Sequence, residues 1–182
     1  MNSPAPPSNG APPSDLIADL GYMTLGSRFR RLGERLQAGV AEAFRSAGYT
    51  VQPSQVPLLC ALREGPATVG GLVTRLDISQ PAVTRSLGQL VRDGLVHSSA
   101  SPHDARQREI RLTQQGTSVI DALDARFFRH VEAAVASICA PPAANLLAYL
   151  DRLDAALARS PLAERIAQAS ANPPNDMQSP DT

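Results

Sequence analysis

The stretch from residue 69 to residue 113 limits the possible folds of this chain more than any other part of the sequence. Its apolar spacing predicts a short helix, a turn, and a second helix over residues 79–93. Ser79 can cap the second helix through its hydroxyl, and Pro81 fits the first turn because that position needs no N–H partner. Gly94 is predicted to end the helix. The sequence therefore predicts two short helices joined by a tight turn.

The second helix is predicted to have two different faces. Its apolar residues recur at three- and four-residue steps and should form one buried face: Val83, Leu87, Leu90 and Val91. Its outward face has short or hydrogen-bonding side chains near the helix N-terminus: Gln80, Pro81, Ala82, Thr84 and Arg85. A helix that enters the DNA major groove presents this end to the base edges. The pattern therefore favours DNA contact over an ordinary solvated helix surface.

Two short strands joined by a polar loop are predicted after this helix. Residues 95–99 and 109–112 form the strands, with Ile110 and Leu112 facing inward, and residues 101–107 form the loop. Helix, turn, helix and hairpin together are the outline of a winged helix-turn-helix, in which the hairpin is the wing.

Two further helices are predicted before the turn. Thr68 should cap the short helix, which ends near Leu76 and leads into a turn at residues 77–78. Pro53 opens a helix that ends at about Arg63. Three leucines of that helix should face inward: Leu58, Leu59 and Leu62.

Long amphipathic helices are predicted on both sides of the winged module. The first covers about residues 15–47, with Ser14 as its cap, and ends at Gly48; later helices cover about 113–139 and 143–159. Their apolar stripes are Leu25, Phe29, Leu32, Leu36, Val40 and Phe44, then Val119, Ile120, Leu123, Phe127, Val131, Val135 and Ile138, then Leu146, Leu147, Leu150, Leu153 and Leu157. A small winged module does not need this much apolar surface. We therefore expect the first and last helices to pack together in a lobe that a second copy of the chain completes.

The predicted fold class is mainly α with a small β-hairpin wing: a winged helix-turn-helix with a long-helix dimerisation lobe. We expect a disordered tail over residues 1–14, one domain over 15–159, and a mostly disordered tail over 160–182 in which residues 162–169 add one weak turn or more. The domain divides into a DNA-reading lobe, 53–113, and dimerisation helices, 15–47 and 113–159.

The charge balance excludes a global electrostatic attraction for nucleic acid. The chain has 17 basic and 17 acidic residues, and every basic residue is an arginine. DNA affinity must therefore come from local placement of charge. Cys60 and Cys139 do not suffice for a disulfide framework or a metal site, and no nucleophile–base–acid set stands out. We expect no cofactor and no enzymatic activity. Because the sequence shows neither a signal peptide nor a membrane-spanning run, we expect a cytoplasmic protein.

Two motifs of the module occur in a characteristic order and spacing. Asp104-Ala105-Arg106 is followed by Leu112-Thr113 and then by Gly116, and this pattern comes after a helix at 79–90 that continues into residues 93–96. Together they resemble the MarR family of bacterial transcription regulators, whose wing pattern is D-x-R-x-x-x-x-x-L-T-x-x-G. The resemblance covers about residues 16–159.

The resemblance implies a homodimer that binds a pseudo-palindromic operator in double-stranded DNA, usually as a repressor. It also implies that Arg106 is the wing-tip arginine that enters the minor groove and that Asp104 orients it. We expect a small-molecule effector to bind between the dimer lobe and the reading lobe. Gly71 stands where many relatives have Glu, so a capping box is absent there. No Cys precedes Cys60, so the sensing of peroxide by a reactive N-terminal Cys does not carry over.

The candidate DNA contacts are Thr68, Ser79, Gln80, Pro81, Ala82, Thr84, Arg85, His103, Asp104, Arg106 and Arg108. Two of these have a second interpretation. Arg108, like Arg111, can contact a phosphate or lie on a solvated strand edge, and His103 can be an ordinary loop residue. The alternative function is a winged module that contacts protein without sequence-specific DNA binding, with which the zero net charge is compatible.

Overall fold

The computed structural model describes residues 15–100, 108–139 and 146–171. Along the chain these divide into two compact units, the first ending at Phe128 and the second beginning at Arg129. The helices are α1 (Leu16–Asp19), α2 (Leu25–Ser46), α3 (Val56–Arg63), α4 (Val69–Leu76), α5 (Gln80–Arg92), α6 (Gln114–Leu123), α7 (Arg129–Ile138), α8 (Leu146–Arg159) and α9 (Leu162–Ala171). The strands are β1 (Ala67–Thr68), β2 (Val96–Ala100) and β3 (Arg108–Leu112). Short 3-10 segments cover Gly21–Thr24 and Pro53–Gln55, and a π-helical segment covers Asp124–Phe128. The predicted class, mainly helical with a small β wing, is confirmed.

The core of the first unit contains side chains from α4 and α5, the two helices of the helix-turn-helix, and from the helices around them. Its largest fully buried side chains are Phe44, Leu58, Leu59, Leu72, Val83, Leu90, Ile120 and Leu123. The inward positions predicted for α3 and most of those predicted for α5 are confirmed. Val91 is a correction, because its side chain is 47% exposed. It lies about 80° around the helix from Val83, at the edge of the apolar stripe, where no neighbouring element covers it.

The predicted single helix over residues 15–47 is wrong at its start. The chain forms α1, then a 3-10 turn that begins at Gly21 with φ +57°, and only then α2. Asp15, rather than Ser14, caps the first turn, and its carboxylate accepts two hydrogen bonds from Arg31 at 2.8 and 2.7 Å. The bonds from Arg31 lower the pKa of Asp15 to about 2. The break therefore creates an ion pair between α1 and α2 that a continuous helix could not make, since residues 15 and 31 would lie about 24 Å apart along its axis.

The end of α2 agrees with the prediction. Gly48 has φ +82°, and the Gly48 and Tyr49 N–H groups donate to the Arg45 and Phe44 carbonyls. This reversal places Tyr49 against Phe44, and both rings contact Phe127 edge-on at centroid distances of 5.6 and 5.5 Å. Such edge contacts typically contribute about 0.5–1.5 kcal/mol beyond burial.

The wing is a three-stranded antiparallel sheet in the order β1-β3-β2, rather than a two-stranded hairpin. Val96 pairs with Leu112 and Ala100 with Arg108. The added strand, β1, pairs Ala67 with Ile110. A strand of two residues is too short to show an alternation of apolar and polar residues in the sequence, so only its pairing with β3 identifies it.

The predicted long helix after Thr113 begins as expected. The Gly116 N–H donates to the Thr113 hydroxyl at 3.0 Å. The α-helical hydrogen-bond pattern ends at Leu123, because residues Asp124–Phe128 form a π-helical segment. At this segment Asp124 accepts a hydrogen bond from Arg63 of α3 at 2.8 Å.

The second unit differs from the prediction at three places. Ile138, predicted to be buried, is 78% exposed, and in the single subunit the leucine stripe of α8 is exposed or only half-buried. Where a mostly disordered tail was expected, Leu162–Ala171 forms α9, and Arg165 joins it to α8 by donating to the Ser160 and Ala156 carbonyls at 2.9 Å each. The packing of the first helix against the last stays a prediction.

Candidate nucleic-acid interface

The turn between α4 and α5 is shaped by one cap and one left-handed residue. The Gly71 N–H donates to the Thr68 hydroxyl at 3.1 Å, so Thr68 caps α4 as predicted. At the other end of α4, Asp77 has φ 50° and ψ 43°. An aspartate tolerates this region better than most residues do. The chain then enters α5 through Ser79, whose backbone is extended.

The two faces of α5 are those that the sequence predicted, except for Val91. Val83 and Leu90 are completely buried, and Leu87 is nearly so. Each buried side chain of this size stabilises its position by about 1.5–3 kcal/mol, so the core determines which way the helix faces. The other side presents the candidate contacts: Gln80, Pro81, Thr84 and Arg85 are exposed, and Ala82 is half-buried.

Ser79 does not make the predicted cap. Its side chain accepts no hydrogen bond from the first turn, while its carbonyl accepts from the Ala82 and Val83 N–H groups at 3.0 and 3.1 Å. Because the helix start is satisfied through the backbone, the Ser79 hydroxyl is left exposed at the helix N-terminus. A hydroxyl in this position can bond to an outside acceptor such as a phosphate oxygen.

Arg85 differs from the arginines around it. Arg75 donates to Glu64, and Arg92 donates to Gln89 at 2.6 Å. Within the part of the chain that the structure describes, Arg85 makes no hydrogen bond or ion pair, and it is exposed. Its five N–H donors are therefore free to bind an outside acceptor, for which the planar guanidinium fork is suited.

The wing carries one candidate in a role that the sequence did not predict. Arg108 donates from Nε to the Ser98 hydroxyl and from Nη2 to the Ser98 carbonyl, each at 2.8 Å. These bonds hold the Arg108 guanidinium against β2, so Arg108 braces β3 against β2 at the end of the sheet next to residues 101–107. Arg111 likewise donates to Glu109 at 2.8 Å. The other wing candidates, His103, Asp104 and Arg106, lie outside the described residues.

A latch of four residues, Gly94, Leu95, Thr113 and Gly116, joins the end of α5 to the wing and to α6. The Thr113 hydroxyl donates to the Gly94 carbonyl at 2.7 Å, and the Thr113 N–H donates to the Leu95 carbonyl at 3.0 Å. Gly116 lies so close that a Cβ added there would be 2.0 Å from the Leu95 oxygen. The L-T-x-x-G part of the wing motif is therefore a packing requirement that fixes the wing relative to α5.

Among the residues that the structure describes, the remaining reactive side chains do not converge on a site. Cys60 is half-buried, and burial raises the pKa of its thiol. His97 is exposed on β2. Among residues 15–100, 108–139 and 146–171, no group of three His, Cys, Asp or Glu residues could hold a metal ion. Over the same ranges no helix has both the length and the apolar character needed to cross a bilayer.

The winged module is similar to known proteins. Residues 49–107, which run from α3 through the turn and α5 into the wing, match the model of the MarR family. The similarity to the MarR family covers this segment of the chain. The matched segment contains all of the candidate contacts except Arg108.

A curated relative and two solved structures extend the likeness. The biofilm growth-associated repressor of Agrobacterium fabrum is 33% identical over 89 residues, which are 49% of this chain and 65% of that repressor. A MarR variant from E. coli, crystallised with operator DNA, superposes with a TM-score of 0.63 at 21% identity and covers 76% of this chain and 97% of its own. Bordetella bronchiseptica BpsR, described as regulated in DNA binding by 6-hydroxynicotinic acid, gives 0.60 at 23% identity, with 71% and 91% covered. At these identities the solved structures show that the fold is shared, both within residues 49–107 and beyond them.

Proposed function

We propose that this protein is a DNA-binding transcription regulator that reads the major groove with the N-terminal half of α5. The observation that carries the proposal is the exposed, unpartnered guanidinium of Arg85 on a helix whose opposite face is locked into the core. Gln80 and Thr84 lie on the same exposed side. Arg85 would contact guanine or phosphate, and the free Ser79 hydroxyl and Thr68 would contact the DNA backbone.

The proposal extends to the wing. The predicted wing loop, residues 101–107, connects Ala100 of β2 to Arg108 of β3, which are the last paired residues of the two strands and are braced by Arg108. Arg106 in that loop would enter the narrow minor groove, with Asp104 orienting it and His103 beside it. The zero net charge of the chain makes these local contacts the main source of affinity.

We further propose that the protein acts in the cytoplasm as a homodimer with two-fold symmetry, without enzymatic activity of its own. The exposed apolar stripes of α2 and α8 support dimerisation, since they would otherwise face water. Two copies of α5 would then read half-sites of a pseudo-palindrome about 10 base pairs apart. We also propose that the protein is a repressor whose operator affinity is lowered by a small-molecule effector. The similar fold of BpsR, whose DNA binding is regulated by 6-hydroxynicotinic acid, supports regulation by a small molecule.

The direct test is the binding of fluorescent DNA from upstream of the gene that encodes the protein, measured by anisotropy against random DNA. Arg85→Ala and Arg106→Ala should each cost about 1–3 kcal/mol of binding free energy on the specific DNA. Arg45→Ala is the matched control, because Arg45 is an exposed arginine paired with Glu42 on α2. If the wild type prefers no sequence, or if all three variants bind alike, the proposal is wrong.

A second candidate, a winged module that contacts protein, is favoured only by the zero net charge. Salt dependence separates the two functions. Binding to DNA should weaken steeply as salt rises, with a log–log slope of several, because each phosphate contact releases counterions. A slope near zero would favour protein contact.

A further inference from the structure

The exposed side of α5 has a row of four residues that runs along most of the helix. Pro81, Arg85, Gly88 and Arg92 follow one another at steps of four, three and four residues, so they lie on one face. Pro81, Arg85 and Arg92 are exposed, and Gly88 is half-buried. The sequence indicates Pro81 and Arg85 as candidate DNA contacts, but not Gly88 or Arg92.

Neither the packing of the subunit nor its backbone requires a glycine at position 88. Glycine in the middle of a helix is unfavourable relative to alanine, because its backbone loses the most freedom on folding. Gly88 has an ordinary helical backbone, and among the described residues a Cβ added there would meet only the Arg92 Nη1 atom, at 3.7 Å. At Gly116, in contrast, the Leu95 carbonyl occupies the space of a side chain. The bare backbone at Gly88 is therefore suited to the close approach of another molecule.

Arg92 is held beside Gly88 by two consecutive hydrogen bonds. The Gln89 Nε2 group donates to the Asp93 carboxylate at 2.8 Å, which turns the Gln89 side-chain oxygen toward Arg92. That oxygen accepts a hydrogen bond from the Arg92 Nη2 group at 2.6 Å. Because Gln89 is neutral and Arg92 makes no ion pair within the described residues, the guanidinium keeps its charge and most of its donors. An oriented cation therefore lies next to the bare stretch of helix.

The length of the row indicates which anion would meet this cation. From Pro81 to Arg92 the helix axis rises about 16 Å. The major groove is about 12 Å wide, so a helix whose N-terminal half contacts base edges is too long to fit within it. Its C-terminal end, with Arg92, then lies at the rim of the groove, where the phosphates are.

We infer that a DNA strand passes against α5 at Gly88 and that Arg92 binds one of its phosphates there, with Gln89 and Asp93 as positioning residues. This inference rests on the proposed function and adds two contacts to it. A phosphate contact carries no sequence information, because every step of the duplex has a phosphate. Gly88 and Arg92 therefore add affinity for any duplex, whereas the N-terminal half of α5 determines the sequence preference.

A side chain at position 88 should have opposite effects on folding and on binding. Gly88→Ala should unfold at a higher temperature than the wild type, because alanine is the better helix former. The same variant should bind DNA from upstream of the gene about tenfold more weakly, because a methyl group crowds a close contact, and Gly88→Leu should bind more weakly still. Ser118→Ala is the control, since it replaces a small exposed residue of α6 with alanine and should bind DNA as the wild type does.

Arg92→Gln tests the phosphate contact. Anisotropy should show the same loss of affinity on the upstream DNA and on random duplexes of equal length, and the log–log dependence of affinity on salt should become less steep by about 1. Arg92→Lys should restore the wild-type salt dependence, because a lysine also neutralises a phosphate. Arg45→Gln removes the same charge from α2 and should leave the salt dependence unchanged.

Gln89→Ala tests the positioning role without changing any charge. In the wild-type background it should weaken DNA binding, because the guanidinium is no longer held in place. In the Arg92→Gln background it should have no further effect, since it acts only through Arg92. Equal losses in the two backgrounds would contradict the positioning role and show that Gln89 acts on the DNA independently.

Three results would overturn the inference and leave the proposed contacts of Arg85 intact. If Gly88→Ala binds DNA as tightly as the wild type, no strand approaches α5 at this position. If Gly88→Ala unfolds at a lower temperature, the glycine serves the fold instead. If Arg92→Gln keeps the wild-type salt dependence, Arg92 binds no phosphate. A wild-type protein that binds neither the upstream DNA nor random duplexes would show that both this inference and the proposed function are wrong.

Discussion

Two amphipathic helices of this molecule, α5 and α2, show what an apolar stripe can and cannot reveal. On α5, Val83, Leu87 and Leu90 are at most 5% exposed, and the polar side is exposed. On α2 the same periodicity leaves Leu32 and Leu36 more than two-fifths exposed. The pattern is the same, but the subunit covers Val83, Leu87 and Leu90 of α5, whereas on α2 it buries Phe44 and leaves Leu32 and Leu36 exposed. Periodicity therefore identifies the face that needs cover, whereas the tertiary structure shows whether the subunit provides that cover.

The largest expected effect comes from truncating the two stripes in parallel. Leu90→Ala should lower the free energy of unfolding by about 2–5 kcal/mol, because a buried leucine leaves a cavity. Leu36→Ala should cost the isolated subunit less than about 1 kcal/mol and act mainly on dimerisation. Urea unfolding at several protein concentrations separates the two effects. Equal losses at low concentration would contradict the comparison.

The latch allows a second, matched comparison. Gly116→Ala should destabilise by about 1–3 kcal/mol or more, because its Cβ would meet the Leu95 carbonyl at 2.0 Å. Gly88→Ala, in the middle of α5, meets nothing closer than a flexible arginine tip at 3.7 Å and should stabilise by about 1 kcal/mol. Thermal unfolding measures both. A Gly116→Ala protein as stable as the wild type would show that the latch is not a packing requirement.

The caps of α6 and α5 should respond differently to mutation. Thr113→Val removes a hydroxyl that caps α6 and should cost about 1 kcal/mol of stability. Ser79→Ala should leave stability nearly unchanged, since that hydroxyl caps nothing, but should weaken operator binding. Urea unfolding and DNA anisotropy on the same preparations test the pair. The distinction disappears if Ser79→Ala destabilises as much as Thr113→Val.

The smallest expected effect is the pH dependence of the ion pair between Asp15 and Arg31. The pKa of Asp15 falls from its ordinary value of 3.8 to about 2 in the folded state. A lowered folded-state pKa adds stability that is complete above pH 3.8 and is lost as pH falls through about 2. The stability difference between the wild type and Asp15→Asn should therefore shrink over this range in urea titrations. A difference that stays constant down to pH 2 would rule out the pair as its source.

Much of the reading module could be predicted because its signals are local. The Thr68 and Thr113 caps, the end of α2 at Gly48 and the buried face of α5 each depend on a few neighbouring residues. Most of the candidate contacts could be placed on the exposed side of α5 for the same reason. The role of Arg108 could not, since its partner, Ser98, lies on the other strand of the wing.

The sequence by itself determined the caps of α4 and α6, the end of α2 and the apolar side of each helix, because these properties arise within one or two turns of backbone. Only the tertiary structure decided the features that depend on distant partners. Asp15 forms an ion pair with Arg31 because the helix is interrupted at Gly21. The strand β1 forms because it pairs with β3. Gly116 must lack a side chain because the Leu95 carbonyl occupies that space. The periodicity of apolar residues shows that a helix face needs to be covered, whereas the tertiary structure determines which residues cover it.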